Sequence, residues 1–161
     1  MVHVFQIDKS GKDIFENDYS IALVANKKEI YGINIPLSLK NLLLAQQLSK
    51  KERLRLKIRL HTIIIILLIK KAILELKPNE LNIQICNYID GHFHEIKDMT
   101  FYHLNKMYPN LKKEDIIQAK FDKKALINKV AKNLRERKLF DYNRLEVNKK
   151  EIRQMLRIKR H

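Results

Sequence analysis

Three groups of residues in this chain have the types and spacing to do chemistry. The first is His92-x-His94, with His103 further on, which carries donor atoms suited to a metal. On a strand His92 and His94 would share a face. No cysteine joins them and acidic neighbours are few, so exposed strand histidines are the simpler reading. The second is Cys86, the single cysteine, set inside an apolar run. One cysteine excludes an internal disulfide and any Cys₄ or Cys₂His₂ zinc site. Cys86 therefore reads as a small core residue in a protein of a reducing, cytoplasmic compartment.

The third group is a set of cations with the chemistry to bind phosphate. The formal net charge is +15 over 161 residues, and it is segregated. Residues 112–161 hold 17 Lys/Arg against 7 Asp/Glu, and residues 37–77 hold 10 against 2, whereas 1–36 and 78–111 are slightly acidic. Cationic segments of this kind are the footprint of a nucleic-acid partner. In the C-terminal segment the candidates are Lys129, Lys132, Arg135, Arg137, Lys138, Arg144, Lys149, Lys150, Arg153, Arg157 and Arg160. Arginine can grip phosphate with two parallel hydrogen bonds, while lysine acts as a point charge. Arg53, Arg55, Lys57 and Arg59 are further candidates, but on a helix alternate positions wind around the axis and cannot all meet one ligand. Phe121, Phe140 and Tyr142 lie near enough in sequence to stack on bases. Each cation taken singly reads equally well as part of a solvated helix face, and part of the charge fits a Lys- and Ile-rich background or an acidic protein partner. Nothing distinguishes DNA from RNA.

Elements must position these groups. Residues 2–8, 19–25 and 29–35 alternate or are rich in strand formers, with turns at Ser10-Gly11 and Asn26-Lys27-Lys28, and predict an antiparallel three-stranded meander. Residues 38–48 predict a helix. Ser49 and Glu52 make a capping box opening a helix over 50–76, ended by Lys77-Pro78-Asn79. Leu54, Leu56, Ile58 and Leu60 alternate with Arg53, Arg55, Lys57 and Arg59, a competing strand signal. A fourth strand is expected over 81–89, with Asp90-Gly91 as a hairpin turn signal leading into 92–97. A helix over 98–107 and a short strand over 116–121 follow. A helix over 123–138 would be capped by Asp122, and a last helix over 149–159 would open at Asn148 and Glu151. The expected domains are an α/β domain over 1–138 and a basic helical extension over 139–161.

Some classes are excluded. Three glycines, with no Walker loop and no Gly-x-Gly-x-x-Gly, argue against a nucleotide cradle of that type. No Ser/His/Asp triad follows from spacing. The N-terminus lacks the basic and apolar regions of a signal peptide. The greasiest run, Ile63–Ile69, falls short of the ~20 residues a membrane span needs.

The order strand, strand, strand, helix, strand, helix, strand, helix resembles the ribonuclease H-like fold, a mixed sheet of about five strands flanked by helices. Ile7-Asp8-Lys9-Ser10-Gly11 is similar to the first-strand motif of type 2 ribonucleases H. The resemblance implies an α/β fold in which Asp8, Asp90 and Asp122 converge on Mg²⁺ or Mn²⁺ as a metal-dependent nuclease. Glu95, Asp98 and Asp141 are lesser options for a fourth ligand. Hard divalent cations take oxygen ligands, and a pair of them activates water and stabilises the leaving oxygen of a phosphodiester. Lys9 departs from the motif, since a second carboxylate belongs there. That departure points to a non-catalytic member that retains nucleic-acid binding. The alternatives are the nuclease itself and a basic structural subunit of a ribonucleoprotein or protein complex.

Overall fold

The computed structural model describes residues 2–15, 18–44, 47–138, 140–146 and 148–157. The chain forms an α/β fold built on a mixed sheet, as the pattern of elements predicted. Strands β1 (Val2–Ser10), β2 (Ser20–Ala25) and β3 (Glu29–Asn34) make the antiparallel meander. Helices α1 (Leu37–Leu44) and α2 (Lys50–Leu76) lead to β4 (Glu80–Cys86), which pairs parallel to β1. Helix α3 (Phe93–Asn105) leads to β5 (Ile116–Ala119), parallel to β4. Helix α4 (Leu126–Arg135) follows, then a two-residue strand β6 (Asn143–Arg144) along β3, then α5 (Lys149–Arg157). The strand order is β5-β4-β1-β2-β3-β6.

The meander closes on itself through Gly11. Its φ is +126°, and a Cβ there would lie 2.6 Å from the Asp18 carbonyl oxygen, so no other residue fits this turn. Successive side chains of β1 then point to opposite faces. Phe5 and Ile7 enter the main core, while Asp8 meets α4 on the other side.

Residues 53–60 are helix, against their strand-like alternation. Ser49 Oγ accepts from the Glu52 N–H at 3.1 Å and the Glu52 carboxylate accepts from the Ser49 N–H at 3.2 Å. Lys77 ends α2 in the left-handed region, and its N–H reaches the Ile73 carbonyl. Residues 61–69 are buried without interruption. A helix buried all round needs partners all round. Here the sheet lies on one side, and α3 and α5 pack against the other. No helix among the described residues is long and apolar enough to cross a membrane.

Among the described helices only α4 packs on the opposite face, over β1, β2 and β3. Ile127, Val130, Ala131 and Leu134 bury against Ala22 and Val24. Leu134 lies so close to Gly32 that a Cβ there would fall 2.5 Å from its Cδ1. Beyond α4 the same face of the sheet is exposed and mixed among the described residues: Gln6 donates to Gln84 across β1 and β4 at 3.1 Å, with Val2 and Ile117 exposed nearby on the same face.

Several boundaries differ from expectation. No hairpin forms at Asp90-Gly91: α3 begins at Phe93, because a turn at 89–91 feeds a helix whose Ile96, Met99, Thr100, His103 and Leu104 share a buried stripe. Asp122 is not a helix cap. Its carbonyl closes a turn onto the Ala125 N–H and its carboxylate accepts from the Lys124 N–H, so α4 starts three residues later. Asn148 does open α5, accepting from the Lys150 N–H at 2.9 Å. The described part of 139–161 packs on the domain: β6 joins the sheet, and Leu145, Ile152 and Met155 enter the core.

Candidate nucleic-acid interface

Parallel strands β1, β4 and β5 end at one edge of the sheet, where open α/β sheets commonly bind ligands. A cleft of about 560 Å³ opens there, lined by Asp8, Cys86, Asn87, Gln118, Lys120, Phe121 and Asn128 among others. Asp8 is 7% exposed. One of its oxygens accepts from the Lys9 backbone N–H at 2.8 Å, and the other lies 3.4 Å from the donating Asn128 amide. Burial first, and then the adjacent Asp8 carboxylate, push the Cys86 thiol far above its usual value. Cys86 is therefore a neutral, buried thiol and no nucleophile.

The other expected carboxylates are elsewhere. Asp90 is exposed in the turn after β4 and accepts from the Asn87 amide. Asp122 is exposed in the turn before α4. Neither lines the Asp8 cleft. Glu95 lies on α3 beside His92, with 2.9 Å between Oε1 and Nδ1. Asp98 pairs with Lys113 at 3.4 Å, and Asp141 is exposed before β6. Among the described residues, no group of three or more His, Cys, Asp or Glu is placed to hold a metal ion. The donor set beside Asp8 is amides, a neutral thiol and a lysine, which does not fit a two-metal centre. His92 and His94 share no strand face, since His92 precedes α3 and His94 lies in its first turn.

Lys9 does not turn its side chain to the Asp8 side. Alternation turns its side chain to the α2 side, where its ammonium donates to the Gly11 carbonyl at 3.1 Å. There it faces a buried aromatic group. His61 of α2 stacks on Tyr88 with centroids 3.7 Å apart, and Tyr19 meets both rings edge-on. Among the described residues, neither His61 ring nitrogen has a hydrogen-bond partner. Burial, and then the Lys9 charge, lower its pKa to about 3, so it stays neutral. Burial raises Tyr88 to about 12.

The candidate cations do not form one surface. Lys129 and Lys132 are exposed on α4, and Arg135 Nε donates to Ser10 Oγ at 2.7 Å, at the carboxyl end of β1. Arg137 and Lys138 follow in the turn, pairing with Asp18 at 3.5 Å and Glu136 at 3.4 Å; Lys132 reaches Glu136 at 3.9 Å. Arg144 is on edge strand β6. Lys149, Lys150 and Arg153 are exposed on α5, which packs on α2, on the other side of the sheet. Arg157 belongs to α5, and Arg160 lies outside the described residues. Of the front of α2, Lys57 pairs with Asp13 and Arg53 lies over the Phe15 ring at 5.7 Å.

Sequence reasoning missed Asn87 and Asn128. Asn128 carried a signal: it stands seven residues before Arg135, so both reach the same end of β1 from one edge of α4. Asn87 carried none, because amides at strand ends usually make turns. No family model, curated protein or solved structure matches this chain.

Proposed function

We propose that this protein is a non-catalytic, ribonuclease H-like scaffold that binds nucleic acid on the α4 side of its sheet. The strand order supports the fold part of this reading. A three-stranded antiparallel meander is extended from β1 by β4 and then β5, both parallel to β1. The observation that carries the functional part is the setting of Asp8. It sits at the strand end where a catalytic carboxylate would be expected, with Asn87 and Asn128 rather than acids around it. Amides contribute no charge to offset two divalent cations, yet they serve well for hydrogen bonds to sugar and phosphate. Lys120, Lys129, Lys132 and Arg135 bring positive charge to the same side.

The test is anisotropy binding of labelled single- and double-stranded DNA and RNA at two salt concentrations, beside a cleavage assay with Mg²⁺ or Mn²⁺. Salt-sensitive binding without cutting is expected, because each neutralised phosphate releases counterions. Metal-dependent cutting that Asp8→Asn abolishes would overturn the non-catalytic reading in favour of a nuclease. Neither binding nor cutting would leave a basic subunit docked on an acidic partner.

A further inference from the structure

A second pocket lies at the outer edge of the meander, where the end of β3 meets the turn after α4. Its volume is about 480 Å³, and its walls include Leu134, Arg137, Lys138, Phe140, Tyr142 and Arg144. Two features set it apart from the Asp8 cleft. Its aromatic wall is a pair of rings, Phe140 and Tyr142, with centroids 5.0 Å apart and planes tilted by 31°. Both rings are half-buried, resting on the α4 cluster with one side left open. Among the described residues that line it, the charged ones are all cations.

The pocket is also held in shape. The Arg137 N–H bonds to the Leu134 carbonyl and the Lys138 N–H to the Asn133 carbonyl, closing the end of α4. On the other side the Asn143 amide donates to the Ile30 carbonyl at 3.0 Å, and the Leu145 N–H to the Gly32 carbonyl at 2.9 Å. These bonds fasten the Phe140–Arg144 segment between helix and sheet edge. Arg144 has no ion-pair partner among the described residues. The partners of Arg137 and Lys138, Asp18 and Glu136, are at least 30% exposed and weakly held, so a phosphate can displace them.

We propose that this pocket holds one unstacked base of a single-stranded nucleic acid on Phe140 and Tyr142, with the flanking phosphates on Arg137, Lys138 and Arg144. The proposal rests on the nucleic-acid reading above and narrows it to single strands. A base in a duplex has both faces covered by its neighbours and cannot reach the rings. Stacking tolerates any base, because every base has a π-face. A pocket whose stacking surface is two rings flanked by three cations therefore favours single strands over duplexes.

The experiment measures dissociation constants for a labelled 12-mer single strand and the matching duplex, with the full chain and circular dichroism on each variant. Tyr142→Leu and Phe140→Leu keep the apolar packing and remove the rings. Each is expected to weaken single-strand binding about tenfold, the scale of one lost base stack, and to leave duplex binding unchanged. Tyr142→Phe should restore the single-strand affinity. Arg144→Glu should weaken single-strand binding and reduce its salt dependence. If the wild type binds neither strand form, both this proposal and the nucleic-acid reading fail. If it binds and the folded Leu variants bind single strands as well as wild type, the pocket proposal alone fails.

Discussion

The two faces of the sheet carry helices of opposite character. On one face α2 is buried without a break from Leu60 to Ile69, and α3 and α5 complete a thick apolar layer. On the other, α4 lies alone, one side buried and the other exposed, over only part of the sheet. The difference separates the face that holds the main core from the face that leaves clefts open to solvent. The thick layer holds most of the buried apolar side chains and houses a histidine whose ring nitrogens find no hydrogen-bond partner among the described residues. The thin layer leaves a strand-end cleft, an exposed stretch of sheet and an aromatic pocket open to solvent.

The largest expected effect is on the thick side, and it comes from His61. Its pKa is near 3 in the fold against 6.5 for an unperturbed histidine. The unfolded chain therefore binds more protons between these values, and stability must fall as pH drops from about 6.5 toward 3. The loss is on the order of several kcal/mol. Denaturant titrations of the wild type and His61→Leu, run at several pH values, isolate it. The difference between the two should grow steadily with acid. A constant difference would mean that His61 is already solvated.

Ile64→Ala, in the centre of α2, should cost about 2–5 kcal/mol, because a buried cavity is left that rigid neighbours cannot close. Leu134→Ala should cost less, about 2–3 kcal/mol, since α4 has solvent behind it and can settle onto Gly32. Equal losses would contradict the picture of a thick and a thin layer.

The charges give a finer contrast. Reversing Lys129, Lys132 and Arg135 together should weaken nucleic-acid binding and flatten the log–log salt slope by about 2–3. Reversing Lys149, Lys150 and Arg153 on α5 should leave that slope unchanged. The opposite outcome would move the interface to the other face. The smallest effect is expected for Asp8→Asn, which should leave binding unchanged or slightly tighter in the same titration. A clear loss would give Asp8 a direct part in holding the ligand.

Much of the fold was legible along the chain. The capping box at Ser49 and Glu52, the β-rich meander and the apolar stripe of α4 are local signals, set by residues within one or two turns of one another. The alternation over 53–60 is a competing strand signal, and the cap at Ser49 and Glu52 decides for the helix that the sequence predicts and the structure forms. β6 was invisible: two residues carry no period, and only the edge of β3 selects them. His92 and His94 were read on a strand because nothing local reveals the buried stripe that makes α3 begin at Phe93.

By itself, the sequence determined that this chain is basic, α/β and able to bury one long apolar helix. Composition and short-range periodicity suffice for that, since they depend on each residue's own transfer energy and on its near neighbours. Only the tertiary structure decided which cations share a surface and which groups surround Asp8. Lys129 and Lys150 stand 21 positions apart in one basic segment, yet the path through β6 carries them to opposite sides of the sheet. Asn87 and Asn128 meet Asp8 through strand order and helix placement, which are properties of long-range packing that no local pattern encodes.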